Sequence, residues 1–176
     1  MSIINKIFLS IFIIVIILIS CARSFDPFEL DRNLNCDCIP ENNSINILFK
    51  YGIGAKNILN TYDCTYTKDM IRDPSISICF ELNDQELDSI FYKMNEINFF
   101  DYPDTFIVKL PYGPLAMVSP SATYYLNVEF GNEKKELYWN DDPYGNNLRE
   151  LIYYIIDLLE SKEEIKYLPE PRGGYV

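Results

Sequence analysis

The sequence predicts an α+β domain, an antiparallel sheet of about five strands with two helices packed on one face in the order β-β-β-α-β-β-α. Three observations predict it. Several short runs alternate apolar and polar residues, the period of a strand with one face buried. Two longer runs repeat apolar residues at helical spacing, each behind an Asn-x-x-Glu start. Strands that follow one another without intervening helices favour helices gathered on one face of an antiparallel sheet.

The first strand begins after Ser44, where Ile45, Ile47 and Phe49 alternate with Asn46 and Lys50, although Leu48 breaks the alternation. After Gly52 and Gly54 a second strand is expected from about residue 58 to residue 67. Asp73-Pro74 punctuates the chain, and a third strand at 75–82 puts Ile76, Ile78, Phe80 and Leu82 on one face. The first helix starts at Asn83, whose side chain caps it while Glu86 reaches back to complete a capping box. Its apolar stripe is Leu87, Ile90, Phe91, Met94 and Ile97, which is core spacing.

Residues 101–120 hold Pro103, Pro111, Pro114, Pro120 and Gly113 and so exclude helix, although 106–110 reads as a short strand. The segment is apolar for a connection. Structureless connections longer than about 12 to 15 residues are usually functional or disordered, and this one carries Phe106, Leu110, Leu115 and Met117. Either it folds back as an edge strand and covers its own core, or it presents that surface to another protein. Those four residues are the candidate partner surface.

Residues 123–130 and 133–139 alternate on either side of Gly131-Asn132, a two-residue hairpin turn. With that turn Leu126 faces Leu137 and Tyr124 faces Trp139 on the core side, while Tyr125 faces Tyr138 outside. The last helix is expected to be capped by Asn147, with Glu150 three residues later and a stripe of Leu148, Leu151, Ile152, Ile155, Leu158 and Leu159. The mixed charges at 160–166 read as a solvated helix end. The loop 140–146, with its Asn, Asp, Pro and Gly, reads as a turn, because it lacks the alternating ligands and distant Glu of a calcium loop. This element order is similar to that of small exported bacterial domains, a likeness that implies a fold and no mechanism.

The start of the chain gives its address. Lys6 is followed by an apolar stretch at 7–19 interrupted only by Ser10. Signal peptides carry an apolar region of about 7 to 15 residues, whereas a spanning helix needs ~20. The stretch ends Leu18-Ile19-Ser20-Cys21. This resembles the lipobox of bacterial lipoprotein precursors: a branched apolar residue, a small residue and then Cys. The resemblance implies that residues 1–20 are removed as a signal peptide, that Cys21 carries the lipid, and that 21–43 tethers a single globular domain, 44–176. The protein would then be exported and anchored to the cell membrane or outer membrane through its acyl chains.

Charge and composition narrow the function. The chain carries 15 basic and 26 acidic residues and a net charge of −11; without Lys6 the balance is more acidic still. Such a surface repels nucleic acid. Histidine is absent, which removes the commonest general base and zinc ligand and the usual partner of a catalytic Ser or Cys. No catalytic residue, metal site or cofactor is expected. The reading is a protein-binding or inhibitory module of the envelope, with an envelope or extracellular protein as partner; the alternative is a hydrolase using carboxylates alone.

Besides Cys21 there are Cys36, Cys38, Cys64 and Cys79, which an exported chain can pair in three ways. Burial chooses between two registers of the second and third strands, because a one-residue slip inverts every side chain. The apolar register sets Tyr62, Cys64 and Tyr66 beside Leu82, Phe80 and Ile78. It turns Cys64 inward and Cys79 outward, so no bond should join them.

Overall fold

A computed structural model describes Leu34, Cys36 and residues 45–106, 122–140 and 147–175. It contains β1 (Asn46–Tyr51), β2 (Asn57–Asn60), β3 (Thr65–Lys68), β4 (Ile76–Cys79), β5 (Thr105–Phe106), β6 (Thr123–Phe130) and β7 (Glu133–Asn140). The helices are α1 (Asp84–Glu96), α2 (Asn147–Glu160) and the single turn α3 (Glu163–Lys166). The seven strands form one sheet in the order β4-β3-β2-β1-β6-β7-β5, antiparallel throughout except that β5 runs parallel to β7. The α+β class expected from the sequence is the class observed.

One row of inward side chains explains the packing. Tyr66, Leu59, Phe49, Leu126 and Leu137 lie side by side across β3, β2, β1, β6 and β7, and all are buried. They join Leu87, Ile90 and Met94 of α1 and Leu148, Leu151, Ile155 and Leu159 of α2 in one core. Each such side chain contributes roughly 1.5 to 3 kcal/mol through burial. The β6–β7 hairpin has the expected register, with Leu126 opposite Leu137, Tyr124 opposite Trp139 and Tyr125 opposite Tyr138. Its turn works because Gly131 sits at φ +59°, where an L side chain is strained.

Asn83 accepts from Glu86 N at 3.0 Å while Glu86 accepts from Asn83 N at 3.1 Å, so the α1 capping box is complete. Beyond α1, Asn98 turns the chain at φ 53° into a 3-10 turn, Phe99–Asp101, that buries Phe99. β5 is anchored next to it: Tyr138 N donates to Asp104 O at 2.9 Å, and Lys135 Nζ pairs with Asp104 at 2.8 Å.

Several expectations need correction. The second expected strand is two strands, β2 and β3, separated by a turn at 61–64. Asn60 makes that turn: its Oδ1 accepts from Tyr62 N at 3.1 Å and its Nδ2 donates to Asp63 at 2.7 Å. Cys64 stands in the left-handed region, φ 46°, and is half-buried instead of in the core. The register beyond it is the apolar one, with Tyr66 opposite Ile78 and Phe80 N donating to Cys64 O at 2.9 Å.

Cys79 faces out and is bonded to Cys36, with Cα atoms 5.6 Å apart; Cys64 is also disulfide-bonded. Cys36 is therefore tied covalently to the edge strand β4. The last long helix is described from Asn147, and the residues before it lie outside the described ones. The 160–166 run is solvated at Glu160, Ser161, Glu163, Glu164 and Lys166, as expected, but it also forms a helical turn that packs inward. Ile165 and Leu168 are buried, and Lys162 pairs with Glu86 where both side chains are about one-fifth exposed.

Candidate binding cavity

A cavity of about 530 Å³ opens at the end of the sheet where β1 and β3 finish, roofed by α3 and the C-terminal residues. Two tyrosines form its inner wall. Both stand at inward positions on their strands, Tyr51 in line with Ile47 and Phe49, and Tyr66 in line with Lys68. Tyr51 stacks on Phe49 with ring centroids 4.9 Å apart, and Tyr66 packs edge-on against Phe80 at 6.1 Å. Their rings belong to the core, so the cavity receives their hydroxyls, which are hydrogen-bonded to each other at 2.8 Å.

Burial pushes the pKa of both tyrosines up, and the Glu160 carboxylate adds to it. The bond between them raises Tyr51 and lowers Tyr66. Either hydroxyl can donate in this bond, and whichever accepts keeps a proton of its own, so the pair has one proton directed elsewhere.

The rim comes from the loop after β3. Asn57 ties it down, its Oδ1 accepting from Asp69 N at 3.0 Å. Asp69, itself buried, accepts from Ile71 N at 3.1 Å. This holds Ile71 at φ 63°, a conformation that a β-branched residue adopts only under constraint. Ile71 lines the cavity and also forms a parallel bridge to Arg172.

The C-terminal strap closes the other side. Arg172 grips Asp73 through two bonds of 2.8 and 2.7 Å, and this pairing holds the Asp73 carboxyl below its ordinary pKa. Glu170 reaches Lys68 at 3.4 Å. Gly173, at φ +89°, lets the chain pass Arg72, whose Nε would lie 2.6 Å from an added Cβ. Tyr175 lines the cavity and carries Lys56 over its ring at 5.0 Å; its hydroxyl is buried and meets no protein hydrogen-bond partner among the described residues.

The outer face of the sheet differs in chemistry. Tyr125 and Tyr138 sit opposite each other, Lys50 lies 5.4 Å over the Tyr125 ring, and Tyr125 donates to Glu136 at 2.7 Å. Partial burial, then Glu136, pushes the Tyr125 pKa up to about 12. These are ordinary cross-strand pairs, as the sequence suggests.

Of the residues singled out from the sequence, Phe106 ends the edge strand β5, while Cys21, Leu110, Leu115 and Met117 lie outside the described residues, as does the 141–146 part of the Asp-rich loop. Sequence reasoning missed the cavity. Its one signal was Tyr in place of an aliphatic residue at the inward positions 51 and 66. Among the described residues no cluster of three or more His, Cys, Asp or Glu could hold a metal ion, and no helix is long and apolar enough to cross a membrane. No protein-family model matches the chain, and no curated protein matches it in sequence.

Proposed function

We propose that this chain is an exported lipoprotein, fixed to a membrane by acyl chains on Cys21, whose folded domain is a non-catalytic module that binds another envelope or extracellular protein. The observation that carries the reading is the register of the apolar run, the small Ser20 and Cys21. Two or more acyl chains hold a protein to a bilayer where one is marginal. The Cys36–Cys79 bond adds support, since such bonds persist in oxidising compartments.

The partner surface is the stretch that leaves β5, with Phe106, Leu110, Leu115 and Met117. Edge strands offer unpaired backbone groups to a second chain, and β5 is the edge of this sheet. A carboxylate hydrolase is the weaker reading. It needs two acids free to act on one bond, and two of the three cavity acids have structural work: Asp69 holds the Ile71 amide, and Glu170 pairs with Lys68, which leaves Glu160 alone.

The anchor is tested by incorporation of labelled palmitate into the wild type and Cys21→Ala. Label in the first and none in the second is expected; equal labelling ends the lipoprotein reading. For the binding surface, Leu115→Ser with Met117→Ser should leave stability nearly unchanged and lose a partner captured from solubilised membranes. A loss of roughly 2 to 5 kcal/mol per side chain would instead mark these residues as core cover.

A further inference from the structure

We propose that the cavity between the Tyr51–Tyr66 pair and the C-terminal strap is a binding site for a neutral, hydroxyl-rich ligand, a saccharide of one or two rings. This goes beyond the anchored-module reading and does not depend on it.

Size comes first. Small-molecule sites run from about 300 to 1,000 Å³, and this cavity measures about 530 Å³. It is a built space: Ile71 is held in a left-handed conformation on its rim, and strain of that kind persists where surrounding structure fixes it, often at ligand clamps.

The lining then selects among ligand classes. An anion entering would meet the carboxylates of Asp69, Glu160 and Glu170, and a cation would meet the ammonium groups of Lys68 and Lys166. The charges oppose each other around one space, so neither sign is favoured. A wholly apolar ligand would shut in the spare proton of the Tyr51–Tyr66 pair, and an unpaired buried polar group is costly.

Sugar hydroxyls donate and accept together. They can take a bond from an ammonium or a phenol and give one to a carboxylate, which is the mixture this lining offers. The C–H faces of a sugar ring need an apolar wall, and Ile53, Ile71, Ile165 and Pro171 supply one.

Glu160→Ala is the discriminating variant. Glu160 lines the cavity and is exposed, so its removal should leave the fold intact, whereas a ligand that donates to its carboxylate would notice. The full chain is purified in a polyoxyethylene detergent, which has no sugar headgroup. It is titrated by calorimetry with cellobiose, maltose and N,N′-diacetylchitobiose in turn, and with inorganic phosphate and spermidine as ionic comparators.

At least one disaccharide should bind saturably, weakened about five- to tenfold in Glu160→Ala and again in Tyr66→Phe, the loss of one hydrogen bond each. Tyr138→Phe on the outer face should bind as the wild type does. Cys21→Ala should also bind normally, which separates this site from the anchor. Binding of none of the three disaccharides, binding of phosphate or spermidine alone, or saccharide binding indifferent to both cavity variants would each overturn the assignment.

Discussion

The two halves of the sheet are held together by different means. In the centre, β1, β6 and β7 are six to eight residues long and zip together over most of their length. In the wing, β2, β3 and β4 have four residues each. Short strands pair weakly on their own, and the wing adds other links: the Cys36–Cys79 bond, the Asn57–Asp69 contact, the Tyr51–Tyr66 hydroxyls and the Arg172–Asp73 clasp. The centre is stable through repeated apolar contact. The wing is stable through a few specific contacts, and the cavity lies where the two meet.

The sharpest test of this division is in the centre. Leu126→Ala, at a fully buried site between Phe49 and Leu137, should cost about 2 to 5 kcal/mol of unfolding free energy in a urea titration. It should weaken both halves together. A loss under about 1 kcal/mol would mean that the row across the sheet is not the main support.

Cys79→Ser should have the next largest effect. Opening a covalent loop of sequence separation 43 should cost about 2 to 4 kcal/mol. In hydrogen exchange the amides of β3 and β4 should lose protection while those of β6 and β7 keep theirs at the level of local opening. Uniform loss of protection in both halves would remove the distinction between them.

The smallest effect is in the strap. Arg172 depresses the Asp73 pKa, so this pair stabilises the folded form above the ordinary Asp value of 3.8 and the contribution disappears as pH falls through the lowered folded value. Both groups are exposed, so global stability should barely move. The Tyr175 ring resonances should shift on acidification in wild type and stay put in Arg172→Gln. The same acid shift in both proteins would detach the strap from this ion pair.

The contrast also explains what the sequence revealed. The β6–β7 register was legible because Gly131-Asn132 sets the turn and the alternation around it admits one apolar face. The α1 start was legible because Asn83 and Glu86 carry the whole motif within four positions. Both are local. The β2–β3 turn was hidden because Thr61, Tyr62 and Thr65 favour strands, while the turn depends on Asn60 bonding to Tyr62 and Asp63.

The Cys36–Cys79 pairing was not legible, since spacing alone leaves the partner open. The cavity was the least visible feature. Its walls come from Tyr51, Tyr66, Glu160 and Tyr175, and only the tertiary fold brings these together. Glu160 and its charged neighbours were legible as a solvated end, but nothing nearby in sequence shows that Ile165 and Leu168 fold inward.

The disulfide also decides how the protein carries load. Tension applied to the chain before Cys36 does not travel through β1; it crosses the sulfur bridge and enters the domain at Cys79, in the edge strand β4. The 43 steps of backbone between the two cysteines, roughly 140 to 155 Å if drawn straight, lie off the path of the force and cannot be paid out while the bond is oxidised. Under the proposed N-terminal anchor, shear would reach β4 first and leave β1 slack. Reduction would reverse this, moving the point of attack from the edge of the sheet to β1 in its middle.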